Sequence, residues 1–374
     1  MSVALRAALA AGALLLAACS TNSGPKPAEL TALQQARETR LLWSAVVGPA
    51  GAYVFTPALA GDGVVAAARD GTVLRLDAAD GKPRWRVELD VRLSAGAGAD
   101  LRTVAVATEE GEVLALDAET GKLRWRARVS SEVLAAPRVA GGLVLVRSAD
   151  SRIYAFDAED GKRRWVYQRA SSSLMVRTPA GLSVLQDSLY AGFSGGKLVS
   201  LGLANGGLRW EATVALPKGA TELERVTDIV GDPAVVGREV CAAAFQGRIA
   251  CFDAQSGNQL WARDMSTVTG ASVDARHAYV SDDRGAVHAL DRSNGRSLWK
   301  QDRLAYRQLS QPLPLGAEIV LGDLRGYVHV LSRETGAFVA RAATDGSPVR
   351  AAPLRLPGGF LVQTQDGSLY ALAL

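Results

Sequence analysis

The sequence predicts an all-β chain: an eight-bladed β-propeller of four-stranded antiparallel blades, closed by an N-terminal strand that completes the C-terminal blade. Three observations carry this. A ten-residue pattern, seen as Leu116-Asp117-Ala118-Glu119-Thr120-Gly121-Lys122-Leu123-Arg124-Trp125, returns along the chain with its glycine at 81, 121, 161, 206, 257, 295 and 336. The intervals of 40, 40, 45, 51, 38 and 41 residues are the period of a repeat architecture. Ten residues before each of these glycines lies a second turn position, filled by Gly71, Gly111, Ser151, Gly196, Gly247, Gly285 and Gly326. Four residues after them stand Trp85, Trp125, Trp165, Trp210, Trp261 and Trp299, with Ala340 in the last slot.

Within a unit, Val113-Leu114-Ala115-Leu116 is an apolar run of strand length. Thr120-Gly121 is a turn, since glycine tolerates positive φ and the residue before it can bond the local backbone. The run ending in tryptophan is the next strand. Two tight hairpins, or four short strands, make one unit, and such units ringed about an axis make a propeller. Gly367 opens an eighth unit with only seven residues after it. The missing strand is Leu41-Leu42-Trp43-Ser44-Ala45-Val46-Val47. Trp43 precedes Gly71 by 28 residues, and Trp85 precedes Gly111 by 26, so the frame agrees. Closure removes the exposed edges of a linear array.

The 374 residues, 48% hydrophobic and 21% charged, suit one large globular domain over 40–374. The net charge of +4 is spread without a long basic run, so no nucleic-acid partner is expected. Residues 1–18 read as a signal peptide: Arg6 precedes an apolar stretch from Ala7 to Ala18, too short to span a bilayer. It ends Leu16-Ala17-Ala18-Cys19-Ser20, which resembles the bacterial lipobox, whose cysteine is acylated after cleavage. Cys19 is therefore the expected lipid anchor, and several acyl chains on one residue hold a protein stably at a membrane. By the sorting rule known for enterobacterial lipoproteins, Ser20 in place of Asp implies the outer membrane, facing the periplasm. Residues 19–39 read as a flexible tether with room for a helical turn at 29–37.

Cys241 and Cys251 flank the Phe245-Gln246-Gly247 turn symmetrically, so they face each other if 244 faces 248. An exported compartment favours a disulfide there; two buried thiols are the alternative. Candidates for catalysis or metal binding are few. His288 and His329 occupy the same slot in two blades and, like His277, read as strand residues; no Cys/His cluster has zinc spacing. Asp77, Asp117, Asp157, Asp253 and Asp291 recur too regularly for a catalytic acid and read as turn formers. No catalytic residue, metal site or cofactor is expected.

The two long intervals carry Leu174-Met175-Val176-Arg177-Thr178-Pro179 and Thr221-Glu222-Leu223-Glu224-Arg225-Val226-Thr227-Asp228. Extra residues in a propeller fall in loops, where function is commonly carried, and consecutive intervals place both in one sector. Harmless drift in loop length explains the spacing equally well.

The Asp-Ala-x-Thr-Gly-x-x-x-Trp repeat resembles the tryptophan-docking repeat of the pyrroloquinoline quinone (PQQ) propeller superfamily, which holds quinoprotein dehydrogenases and non-enzymatic relatives. A lipobox, a short tether and a lone propeller together resemble the BamB family of lipoproteins of the β-barrel assembly (BAM) machinery, over nearly all of the chain after residue 40. The segment 221–228 is similar to that family's Thr-Glu-Ile-Asp-Arg-Leu-x-Asp, and 174–177 to its Leu-Ser-Leu-Arg. The resemblance implies a non-enzymatic scaffold that docks the periplasmic POTRA domains of BamA, alongside other BAM subunits, with unfolded outer-membrane proteins as further partners. Leu174, Val176, Arg177 and Asp228 would carry the contacts, with Glu222 and Arg225 as supports. Val230 stands where the family has a second acid, and Thr178-Pro179-Ala180 replaces its Gly-Glu-Ser. The enzymatic alternative, a periplasmic PQQ-dependent dehydrogenase, needs a Ca²⁺ site, a catalytic Asp and a quinone pocket. A third reading is an envelope chaperone or adaptor outside barrel assembly.

Overall fold

The computed structural model describes residues 24–33, 36–170 and 174–374. Its 32 strands form eight four-stranded sheets. Blade 1 holds β2 (Ala58–Ala60), β3 (Gly63–Ala67), β4 (Thr72–Asp77) and β5 (Pro83–Glu88), hydrogen-bonded in that order. Blade 2 (β6–β9, from Gly98 to Arg128) and blade 3 (β10–β13, from Arg138 to Gln168) repeat it, as do blades 4 to 7, which begin at Leu182, Ile229, Ala271 and Leu313. Blade 8 joins β30 (Leu354–Leu356), β31 (Gly359–Gln363) and β32 (Ser368–Ala373) to β1 (Arg40–Val46), with Trp43 opposite Ala371. The N-terminal strand thus closes the ring, as the repeat frame predicts.

Burial follows from this packing. The second and third strands of a blade lie between neighbouring blades, so they are covered on both faces and read as unbroken apolar runs. Every residue of β3 is buried, as is every residue of β7 (Thr103–Ala107). Fourth strands lie on the rim. In β9 (Leu123–Arg128) only Trp125 is buried.

Each tryptophan locks its blade to the next. Trp85 Nε1 donates to Ala118 O (2.9 Å), Trp125 to Ala158 O (3.0 Å) and Trp43, across the closure, to Ala78 O (3.1 Å). The indole lies flat on the turn glycine of the receiving blade: a Cβ on Gly121, at φ 72°, would sit 2.8 Å from Trp85. The recurring acid builds that turn. Asp117 Oδ1 accepts the N–H groups of Glu119 (3.1 Å) and Thr120 (2.8 Å), an Asx turn. One residue before the tryptophan, the strand bulges out of register. A bulge re-aims a side chain, and here it sends Arg124 back onto Asp117 and Arg84 onto Asp77. The Arg124 guanidinium holds the Asp117 carboxyl down at about 2.

The one slot without tryptophan has a matching cause. Ala340 lies in β29 (Phe338–Ala343) of blade 7, which faces blade 8. The third and fourth strands of blade 8 come from opposite ends of the chain, so no turn connects them and an indole would have nothing to dock on. Residues ahead of β1 lie along blade 7 and the connection that enters it. Arg37 N–H donates to Val339 O (2.8 Å), Ala28 N–H to Ala305 O (2.8 Å), and Arg37 pairs with Glu318 (2.9 Å). Leu30 packs on the apolar cluster containing Leu304 and Phe338. The described tether residues carry no helical turn and lie against the propeller instead of running loose. Composition pointed to a free tether because its polar residues hide what the receiving surface offers. Residues 1–18 and Cys19 lie outside the described residues.

Candidate functional site

Alternating strand direction puts the connections between a blade's second and third strands, and those between blades, on one face of the ring. Both insertions belong to inter-blade connections and so share this face. The first joins β13 (Arg163–Gln168) to β14 (Leu182–Leu185); the second joins β17 (Leu208–Thr213) to β18 (Ile229–Val236).

Asp228 ties the two together. Its Oδ2 accepts the Val176 N–H at 2.6 Å, across 52 residues of sequence. The side chain is only 6% exposed. Burial pushes the carboxyl above its ordinary range, while the Val176 and Gly195 N–H groups and the Arg147 charge pull it back. Arg147 comes from β11 (Leu143–Ser148), beneath the loop. Burial pushes its guanidinium down to about 10 against the pull of Asp228 and Asp232. It donates to Ala180 O (3.1 Å) and lies over the Phe193 ring (4.9 Å). Arg147, Asp228, Glu132 and Met175 border a cavity of about 180 Å³ under the loop. Asp228 thus differs from the expected surface contact: it faces inward and sets the shape of the 174–178 loop.

Arg177 projects outward, with a side chain 54% exposed, in a fixed orientation. Its Nη2 and Nε bond both oxygens of Glu132 (2.7 and 3.3 Å), a bidentate fork. Its guanidinium also lies 5.3 Å from the Tyr53 ring centre, within cation–π range. Tyr53 is itself held: its hydroxyl donates to Glu109 (2.8 Å), and Arg69 lies 4.7 Å from the same ring. The Glu132 bond keeps the Arg177 charge more secure than in free arginine.

The second insertion is a single tight turn. Thr221 Oγ1 accepts the Glu224 N–H (3.2 Å), and Glu224 Oε2 accepts the Thr221 N–H (3.0 Å). This reciprocal pair is a capping box. Arg225 Nε donates to Gly219 O (3.1 Å), so Arg225 supports its own turn. Glu222 and Leu223 point out, Leu223 being 71% exposed. Leu174 (43%), Met175 (41%) and Leu216 (64%) are exposed with it, whereas Val176 is half-buried. Val230 is 1% exposed, so its position reaches no surface. Leu216, Met175 and Leu223 are exposed apolar residues beyond those that the resemblance implies. The last two lie inside the motif segments, and their apolar character amid polar neighbours was the available signal. Tyr53 and Glu132 gave none, because only the fold brings them to Arg177.

The remaining candidates have structural surroundings. Cys241 lies opposite Cys251 in the β19–β20 pair (Glu239–Ala244 and Arg248–Asp253), fully buried, and the two are joined as a disulfide with Cα atoms 4.0 Å apart. His288 and His329 each bond an aspartate, Asp282 (2.9 Å) and Asp323 (2.8 Å), in adjacent blades.

The family profile described as "Outer membrane protein assembly factor BamB" matches residues 9–91 and 69–301. A protein of that name from Alkalilimnicola ehrlichii is 46% identical over 97% of this chain and 95% of its own. One from Pseudomonas aeruginosa is 44% identical, with 98% of each chain covered. The crystal structure of BamB from Moraxella catarrhalis superposes with a TM-score of 0.83 at 27% identity, over 90% of this chain and 100% of that one. A quinohemoprotein alcohol dehydrogenase from Pseudomonas putida, at 14% identity and a TM-score of 0.70, covers 90% of this chain and 76% of its own, and shares the fold alone. With near full-length identity above 40%, a matching profile and a closely superposing propeller, this chain belongs to the outer membrane protein assembly factor BamB family.

Proposed function

We propose that the chain is a non-enzymatic scaffold of outer-membrane β-barrel assembly, held at the periplasmic side of the outer membrane by lipid on Cys19, and that it docks BamA POTRA domains through its paired insertions. The carrying observation is the Asp228–Val176 hydrogen bond. It ties two loops from separate blades together on one face, and those loops expose Leu174, Met175, Leu216 and Leu223 and carry an Arg177 fixed by Glu132. Apolar anchors beside a pre-oriented arginine suit a protein partner: the anchors supply burial and the arginine sets orientation. Val176 contributes through its backbone, Asp228 by positioning, Arg225 by bracing its turn, and Glu222 as a rim charge. Client outer-membrane proteins are a further partner class, through strand addition at blade rims.

A pull-down of BamA from envelope extracts tests this reading. The wild-type chain captures BamA, while Leu174→Ala/Arg177→Ala and Leu223→Ala, each folded by circular dichroism, capture markedly less. Equal capture by all three would move the site elsewhere. No capture by the wild type would remove the partner, and a PQQ-dependent absorbance change on adding the quinone with Ca²⁺ would then favour the dehydrogenase reading.

A further inference from the structure

Blade 7 contains a cluster that the docking surface does not use. Arg307, Asp323 and His329 are 2%, 0% and 0% exposed. A buried Arg–Asp–His group is costly to desolvate unless its members are paired and hydrogen-bonded. Asp323 Oδ2 accepts from Arg307 Nε (2.6 Å) and bonds His329 Nε2 (2.8 Å). On the far side of the imidazole, Arg341 Nε donates to His329 Nδ1 (3.3 Å). Both guanidiniums then reach the segment ahead of β1: Arg307 Nη1 donates to Ala28 O (2.9 Å) and Arg341 Nη1 to Thr31 O (2.9 Å), with Arg303 on the Thr31 hydroxyl. Two carbonyls of the N-terminal segment are thus held by side chains that one buried carboxylate and one imidazole orient.

We propose that residues 24–33 and 36–39 lie as a strap latched to blade 7 by the Asp323–His329–Arg341 relay, and that protonation of His329 unlatches it. The strap lies along β29 of blade 7 and against the apolar cluster between blades 6 and 7, and its hydrogen bonds there involve no repeat tryptophan. The bond from Arg341 requires a bare Nδ1 lone pair on His329, with the proton on Nε2 facing Asp323. A second proton converts Nδ1 into a donor aimed at a guanidinium. The groups facing the ring are Asp323 from the turn before β28 (Tyr327–Ser332), Arg307 from the connection between blades 6 and 7, Arg341 from β29, and the Tyr327 and Phe338 rings. Arg303, stacked on Phe338, adds a further cation. Burial pulls the His329 pKa below its ordinary 6.5, and Asp323 only partly restores it. The latched state therefore binds fewer protons than one whose ring is opened to water. Latching is complete above about pH 6.5 and weakens as pH falls below it.

If Cys19 carries the lipid, the latch sets the anchor's length. From Cys19 to Gly24 an extended chain reaches about 18 Å, and from Cys19 to Arg40 about 75 Å. Closed, the strap holds the rim of blades 6 and 7 near the membrane; open, it lets the propeller swing outward.

Hydrogen exchange of the full mature chain in detergent micelles, corrected for intrinsic rates, tests the latch on the peptide spanning residues 25–39. The amides of Ala28 and Arg37 should be protected near neutral pH and lose about tenfold in protection near pH 5, with β31 unchanged. In His329→Gln, whose amide can bridge Asp323 and Arg341 without titrating, the pH dependence should vanish. Arg341→Leu should leave the strap unprotected throughout. An unprotected wild-type strap near neutral pH, or an unchanged acid response in His329→Gln, would overturn the proposal. Neither result touches the docking of BamA, which is read at the paired insertions and by another assay.

Discussion

At the residue scale, Asp228 acts on the surface without being part of it. Its carboxylate is spent on the Val176 N–H, and the loop that carries Leu174 and Arg177 takes its shape from that bond. Asp228→Ala leaves a buried N–H unpaired, a loss of about 1–3 kcal/mol, and should loosen the 174–178 loop and weaken partner binding severalfold. Asp228→Asn keeps an acceptor in place and, without a charge to desolvate, should retain most of the binding. Calorimetric titration of both variants separates the roles, since a direct charge contact would fail equally in the two. Reading the sequence alone found Asp228 but not this role, because neither its burial nor its partner 52 residues away is written in the spacing.

At the element scale, the repeat was almost wholly legible. Glycine, acid and tryptophan recur because each blade-to-blade joint needs all three: an Asx turn, a position at positive φ without a Cβ, and an indole that stacks on it and donates to the carbonyl beside it. Trp125→Ala removes the stacking and the hydrogen bond between blades 2 and 3, and should cost about 3–5 kcal/mol in urea unfolding. Ala340→Trp should bring no gain despite restoring the consensus. Ala340 is fully buried, blade 8 offers no receiving turn, and an added indole overpacks a filled site. What spacing could not convey was the strap. The contacts of Ala28, Leu30, Thr31 and Arg37 depend on side chains of blades 6 and 7 that no local pattern marks.

At the scale of the whole molecule, the ring is a rigid frame with its two long connections on one face, its seam closed by β1 and the segment ahead of β1 lying along blade 7. The candidate surface was legible only as two interrupted intervals and their resemblance to known segments. Its organisation was not, because Tyr53 and Glu132 reach Arg177 from two other connections of the loop face, Tyr53 being held in turn by Glu109. Since Arg177 and Glu222 are exposed charges of that surface, binding should weaken as salt rises, while the apolar share persists. The most direct test of the central claim is calorimetric titration of the purified chain with soluble BamA POTRA domains, wild type against Leu174→Ala/Arg177→Ala. The account predicts saturable binding by the wild type and a loss of at least about tenfold in the folded variant, near 1.4 kcal/mol. Equal affinities for the two chains would contradict it.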